Sequence, residues 1–187
     1  GEGQAYIGGL GVFLVAINFS FLPVPVVWIL SIAGAFIFGA AWAFIPAYLQ
    51  AKRGSHIVIT TIMFNFIASS LMVYLLVDVI RDMKQMGPHT VALPKELWLP
   101  SFKDLAALFG VKIRYSPLNA SFLLAIAASF FVWFLVWKTK WGYEMRAVGH
   151  NTQAAIYAGI SPYKNIIIAM LISGGLAGLL SINEVMG

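Results

Sequence analysis

The longest stretch of this chain without a charged side chain runs from residue 3 to residue 51, which is 49 consecutive residues. Three shorter charge-free runs follow at 54–77, 115–137 and 165–183, of 24, 23 and 19 residues. A helix needs about 20 apolar residues to cross the hydrocarbon core of a bilayer. Because the first run is long enough for two such helices, the charge pattern predicts about five membrane spans.

The composition agrees with a chain that is embedded in lipid. Of the 187 residues, 60% are hydrophobic and 10% are charged, whereas a soluble domain is about 45–50% apolar and about 25% charged. The net charge of +5 would favour nucleic-acid binding in a soluble protein, but here the basic residues flank the apolar runs. We therefore expect no nucleic-acid partner. The predicted fold class is all-α, a polytopic transmembrane helix bundle.

The predicted spans follow the apolar runs and the helix-breaking residues between them. Pro23 and Pro25 separate the first two spans, a basic turn with Lys52 and Arg53 precedes the third, and Asp78 ends it. The expected spans are 4–20, 26–49, 57–77, 118–137 and 165–184, joined by a loop at 79–116 with a short helix near 102–108 and by a polar segment at 138–164. The first span is near the minimum length. The start without Met and the apolar end indicate a piece of a longer membrane protein.

The orientation in the membrane is not decided by the count of basic residues. Parity puts the Lys52 turn and the 138–164 segment on one side and the 79–116 loop on the other, and each side carries six Lys or Arg residues. The positive-inside rule therefore ties, and net charge favours 138–164 as the cytoplasmic side. The 79–116 loop is then expected to face outward and to contact a binding protein. Its candidate docking residues are Leu97 and Trp98, flanked by Lys95 and Lys103.

Polar side chains inside the apolar runs are costly in a membrane and mark candidate residues of a substrate pathway. The candidates are Glu2, Gln4, Thr61, Asn65 and Glu184. The alternative is structural. Threonine hydroxyls can bond the carbonyls of the preceding turn, Asn65 can bridge neighbouring helices, and the two glutamates can lie at span ends near water.

Small residues recur at intervals of four in two spans, which lets helix backbones approach each other closely in lipid. They are Ala35, Gly39 and Ala43 in the second span and Gly174 and Gly178 in the fifth. Packing within one subunit is the simplest explanation, so these residues predict a bundle. A packed bundle of this kind is more typical of a transporter than of an anchor.

Motifs of enzymatic chemistry are missing from the sequence. There is no P-loop, no zinc-protease helix and no serine-hydrolase elbow, the chain has no Cys, and its three His lie far apart in connecting segments. We therefore expect no catalytic residues, no cofactor and no bound metal.

The most specific segment is GYEMRAVGHNTQAAIYAGI, at 142–160. Asn151 is a suitable N-cap for a helix over 152–158, and Gly159 is a suitable stop. This pattern predicts a short helix on the membrane surface, whose small residues Ala154 and Ala155 let another protein approach closely. An interfacial connector without a partner is the alternative.

This segment resembles the cytoplasmic coupling segment of ABC importer permeases of the branched-chain amino acid, simple sugar and nucleoside superfamily. Three further stretches resemble elements of that family in the same order: GEGQ at 1–4, VITTIMFNFIA at 58–68, and SGGLAG at 173–178 followed by EVMG at 184–187. The nucleoside and sugar permeases are the most alike. The family's usual Asn-Pro pairing is replaced by Asn151-Thr152, which keeps the cap.

The resemblance implies a permease subunit of an ATP-binding cassette importer that moves a nucleoside or a simple sugar across the bacterial inner membrane. It implies that 138–164 is cytoplasmic and that ATP hydrolysis occurs in a partner, with Ala155 expected in the contact. The implied coupling residues are Glu144, Arg146, Gly149, Asn151, Ala154, Ala155 and Gly159. Because family permeases are longer, this chain would be their middle portion.

The implied partners are the ATPase subunits, a second permease subunit, an extracytoplasmic substrate-binding protein or lipoprotein, and membrane lipid. A branched-chain amino acid permease is the first alternative, and its cavity should be more apolar. A secondary transporter that needs no ATPase is the second. That class predicts paired ionisable residues in mid-span and inverted repeats, and only Glu2 and Glu184 could form such a pair.

Overall fold

A computed structural model of the chain describes residues 1–79, 93–101, 103 and 118–187. The α-helices in these residues are α1 (Glu2–Asn18), α2 (Val24–Arg53), α3 (Ile57–Tyr74), α4 (Ser121–Lys138), α5 (Lys140–His150), α6 (Thr152–Tyr157) and α7 (Pro162–Met186). A π-helical turn at Leu75–Val79 continues α3, and a 3-10 turn lies at Lys95–Leu97. The predicted all-α class is confirmed. The short helix predicted near 102–108 falls almost entirely outside the described residues.

Four helices in the described part of the chain are long and apolar enough to cross a membrane. They are Val24–Arg53, Ile57–Asp78, Ser121–Lys138 and Pro162–Met186. Helix α1 has 17 residues and is about 25 Å long at 1.5 Å per residue, which is shorter than a hydrocarbon core of about 30 Å. It packs against the long helices as the fifth member of the predicted bundle.

The ends of the helices follow local sequence signals. Helix α2 begins after Pro23, and its first turn tolerates Pro25 because the N–H groups there have no partner within the helix. It ends at Gly54, whose φ of 63° lies in the left-handed region and whose N–H donates to the carbonyl of Gln50 at 3.1 Å. Helix α7 begins with Pro162 in its first turn, after Ser161.

The small residues predicted for close packing face each other across α2 and α7, the most extensively packed pair of helices. A Cβ added at Gly39 would lie 2.5 Å from the carbonyl oxygen of Gly174, and one added at Gly178 would lie 2.3 Å from the carbonyl oxygen of Ala35. Helix α1 joins them at Gly8, where an added Cβ would lie 2.7 Å from the Cα of Gly178. Helices α1, α2 and α7 therefore form a core in which backbone contacts backbone.

One end of this core is covered by the segment around Leu97. Trp28 Nε1 donates to the Leu97 carbonyl at 3.0 Å, and the Leu99 N–H donates to the Met186 carbonyl at 2.7 Å. The side chain of Leu97 is 3% exposed, whereas that of Trp98 is 50% exposed. The prediction that Leu97 is an exposed docking residue is wrong, because it packs into the apolar cluster between the start of α2 and the end of α7.

The other end of the bundle brings the basic turn after α2 next to the start of α7. Lys52 Nζ lies 5.9 Å from the ring centroid of Tyr163. The loop that carries Leu97 and the segment 138–164 therefore lie at opposite ends of the bundle, which is the arrangement that parity requires.

Helix α5 was not predicted, since its sequence lacks an apolar run. Its first turn is capped by Thr139, whose Oγ1 accepts from the Gly142 N–H at 3.1 Å. A Cβ at Gly142 would lie 2.2 Å from the carbonyl oxygen of Leu135. Only glycine allows α5 to turn this tightly against the last turns of α4.

Candidate functional site

A cavity of about 980 Å³ opens between α1, the end of α3, the segment around Trp98 and the end of α7. The polar and aromatic side chains that line it are Glu2, Tyr6, Phe13, Trp98, Ser181 and Glu184. Most of the other lining residues are aliphatic. Glu2 and Glu184, which lie near opposite ends of the sequence, are thus brought to one site by the packing of α1 on α7.

The two glutamates offer free hydrogen-bond acceptors to this cavity. Both are exposed, and neither forms an ion pair or a hydrogen bond with another described residue. The described lining contains no Lys or Arg, and in the described residues no three His, Asp or Glu side chains could hold a metal ion together. The arrangement therefore suits hydroxyl and amine donors, and it offers a bound carboxylate no basic side chain.

Two further polar side chains were not among the predicted pathway residues. Tyr6 lies one helical turn after Glu2, and Ser181 lies one turn before Glu184. The hydroxyl of Ser181 donates to the Gly178 carbonyl at 2.6 Å, which leaves its oxygen able to accept. Helical spacing from the two glutamates was the signal that could have identified both residues.

Asn65 lies beside the start of α1 instead of in the cavity lining. Its Oδ1 accepts from the Gly3 N–H at 3.0 Å, which ties α3 to the start of α1. A Cβ at Gly1 would lie 2.9 Å from the same oxygen. Gln4 is buried close by and is also absent from the described lining.

Thr61 bonds within its own helix. Its hydroxyl donates to the carbonyls of Ile57 at 2.9 Å and Val58 at 3.0 Å. This is the arrangement that the structural alternative describes. Of the five predicted pathway residues, the cavity brings together Glu2 and Glu184.

The predicted surface helix forms as α6, one residue shorter than expected at its end. Asn151 Oδ1 accepts from the Ala154 N–H at 3.1 Å and caps the helix. Gly159 follows it with a φ of 77°, in the left-handed region where glycine is favoured. Tyr157 on this helix is 91% exposed, although it was not among the predicted coupling residues.

The predicted coupling residues do not share one environment. Gly149, Asn151, Ala154 and Gly159 are exposed, while Glu144 and Arg146 are partly buried. Ala155 is 3% exposed, so the expectation that it faces a partner protein is wrong. It lies on the face of α6 that packs against the chain's own helices, and the two adjacent alanines of the sequence pattern did not distinguish the two faces.

A family described as branched-chain amino acid transport system, permease component, matches residues 1–185. The guanosine ABC transporter permease protein NupP of Bacillus subtilis is 34% identical over 100% of this chain and 51% of its own length. The glucose ABC transporter permease protein TsgB13 of Haloferax volcanii is 32% identical over 100% of this chain and 49% of its own. The nucleoside ABC transporter permease protein NupB of Lactococcus lactis is 32% identical over 95% of this chain and 48% of its own.

The chain spans about half the length of these curated relatives. No solved structure matches it. The family match covers nearly every residue, and the helices give the chain the means to cross a membrane several times. The chain therefore belongs to the permease-component family of the branched-chain amino acid transport systems.

Proposed function

We propose that this chain forms the transmembrane core of a permease subunit in an ATP-binding cassette importer of the inner cell membrane, and that the importer carries a nucleoside or a simple sugar. The observation that carries the proposal is the cavity in which Glu2 and Glu184 meet Tyr6 and Trp98. The names of the relatives, which are permeases for guanosine, glucose and nucleosides, support the same substrate class.

The chemistry of the cavity suits a neutral ligand with several hydroxyl groups. A ligand donor left without a partner in a buried site costs about 1–3 kcal/mol, and each carboxylate accepts hydrogen bonds through two oxygens. The aromatic rings of Tyr6 and Trp98 add flat apolar faces, against which a base or a sugar ring can pack.

A branched-chain amino acid is the second candidate substrate. The family's description and the mainly aliphatic lining favour it. The ammonium group of an amino acid would find acceptors in Glu2 and Glu184, but its carboxylate would find no basic side chain in the described lining and would be repelled by the two glutamates. A neutral nucleoside or sugar avoids that repulsion. An ATP-independent secondary transporter has less support, because the relatives are subunits of ABC transporters.

Energy for transport enters, in this proposal, through the surface helix α6. Tyr157 is 91% exposed and Ile156 is also exposed, so the helix presents an aromatic and an aliphatic side chain at the end of the bundle opposite the cavity. Tyrosines in such positions commonly dominate the free energy of a protein interface. The ATPase subunits dock here on the cytoplasmic side. A second permease subunit, as a homodimer or heterodimer, and an extracytoplasmic binding protein or lipoprotein complete the importer.

Uptake by the full-length permease, assembled with its ATPase and binding protein in proteoliposomes, tests the proposal. Replacing both cavity carboxylates, Glu2→Gln with Glu184→Gln, should lower guanosine or glucose uptake by at least about tenfold, which corresponds to about 1.4 kcal/mol. Glu96→Gln is the matched control, since Glu96 lies at the same end of the bundle but outside the described lining. Normal uptake by the double variant would show that the cavity is not part of the substrate pathway. Uptake of leucine alone would favour the second candidate.

A further inference from the structure

Helix α4 carries an apolar stripe that no described part of the chain covers. Ile126, Phe130, Trp133 and Trp137 recur at positions i, i+4, i+7 and i+11, which share one helix face, and each is about half-exposed or more. From the first to the last of them the helix rises about 16 Å. This is close to the thickness of one leaflet of hydrocarbon, which is about half of the 30 Å core.

Cations lie at the end of this stripe, directly against its indole rings. Lys138 Nζ is 5.7 Å from the ring centroid of Trp133, and Arg146 Cζ is 4.5 Å from that of Trp137. Tryptophan is enriched at the boundary between hydrocarbon and headgroups. The two indole rings therefore place the charges of Lys138 and Arg146 near the membrane boundary, where the phosphate of a lipid lies.

The charge at this end of the bundle is mainly positive. The basic residues of the turn after α2 and of the 138–164 segment are Lys52, Arg53, Lys138, Lys140, Arg146 and Lys164, and the acidic one is Glu144. Glu144 is engaged by Lys140, 3.8 Å away. Two of the cations are thus available to an anion beside the stripe, with no acidic side chain recorded against them in the described residues.

We propose that this tryptophan–cation surface, made of Ile126, Phe130, Trp133, Trp137, Lys138 and Arg146, binds an anionic phospholipid. One acyl chain lies along the stripe, and the phosphate and its charged headgroup lie between Lys138 and Arg146. Basic side chains at the membrane surface attract acidic lipid by about fivefold in affinity for each cation. A zwitterionic lipid carries no net charge and gains little of this attraction. The inference goes beyond transport, because it depends on the position of α4 in the membrane and on no substrate.

A competition between lipids tests the charge requirement. The full-length permease complex is equilibrated with equimolar phosphatidylglycerol and phosphatidylcholine, and native mass spectrometry counts the lipids retained. Lys138→Gln with Arg146→Gln should lower the preference for phosphatidylglycerol by about tenfold or more. Arg53→Gln removes the same charge at the same end without a recorded aromatic contact, and should change the preference by less than about twofold.

Two further measurements distinguish loss of lipid binding from misfolding of the variant, and a bound lipid from a protein helix that covers the stripe. The conservative pair, Lys138→Arg with Arg146→Lys, keeps both charges and should keep the preference. Phosphatidylglycerol with brominated acyl chains should quench tryptophan fluorescence, and Trp133→Phe with Trp137→Phe should remove that quenched component. An unchanged lipid preference in the Lys138→Gln, Arg146→Gln variant overturns the proposal. Brominated lipid that fails to quench Trp133 and Trp137 also overturns it, because another helix of the full-length permease then covers the stripe.

Discussion

Replacing Gly39 by alanine tests the backbone contact between α2 and α7. The added Cβ would lie 2.5 Å from the carbonyl oxygen of Gly174 and 2.9 Å from the Cα of Gly178, whereas ordinary van der Waals contact begins at about 3.4 Å. Both obstacles are backbone atoms, so no side chain can rotate away. The two helices have to separate by roughly 1 Å over the contact, which forfeits much of the dispersion energy there.

Overpacking of this kind costs about 1–3 kcal/mol, and the better helix propensity of alanine returns about 0.5–1 kcal/mol. The expected loss in free energy of unfolding therefore lies between about 0 and 2.5 kcal/mol, with a central value of about 1 kcal/mol. The shift per kcal/mol is about 2–4 °C for 150–250 residues and smaller for a longer chain, so the melting temperature of the full-length permease should fall by about 1–4 °C. The measurement is a thermal melt of the purified full-length permease, followed by the amount that remains monodisperse after heating.

Gly149 provides the matched control for this prediction. It lies within α5 with nothing within 4 Å of an added Cβ, so Gly149→Ala should leave the melting temperature unchanged or raise it slightly. Gly178→Ala, whose Cβ would meet the Ala35 carbonyl at 2.3 Å, should lower it as Gly39→Ala does. Equal melting temperatures for the Gly39→Ala and Gly149→Ala proteins would refute the backbone contact.

Three more predictions address orientation, coupling and the role of Asn65. A cysteine at Lys95 should react with a membrane-impermeant thiol reagent from outside intact cells, and one at Gln153 only after lysis; the reverse result would invert the topology. Tyr157→Ala should lower substrate-stimulated ATP hydrolysis at least about tenfold, since an aromatic anchor contributes about 2 kcal/mol or more, while Gln153→Ala should have little effect; equal effects would argue against an anchor. Asn65→Leu should destabilise the permease by about 1–3 kcal/mol, because it removes the acceptor of the Gly3 N–H, and Asn65→Asp should not. Full stability with lost uptake would instead place Asn65 on the pathway.

The helices themselves could be predicted because a membrane imposes a strict requirement on sequence. A span must be apolar for about 20 residues, and runs without charge reveal this directly. Asn151, Gly159 and Pro162 then marked the ends of the surface segment, because capping depends on neighbours in sequence. The close contact of Gly39 with Gly174 could also be anticipated, since small residues at four-residue spacing leave a flat helix face.

The orientation of single side chains could not be predicted, because it depends on contacts that are distant in sequence. Leu97 and Trp98 are adjacent and both apolar, yet the first is buried and the second lines the cavity. Ala154 and Ala155 are also adjacent, and the first is exposed while the second is buried. Glu2 and Glu184 line one cavity because of how α1 packs on α7, and no local pattern encodes that packing.

The helices of the described bundle are packed unevenly. Helices α1, α2 and α7 touch through glycine backbones, which have no rotamers to exchange, so sliding one of them forces the others to move. Ala68 is the only buried residue of α3, and the end of that helix, with Met72 and Leu75, forms one side of the cavity. An outward swing of α3 would widen the cavity while exposing little new surface.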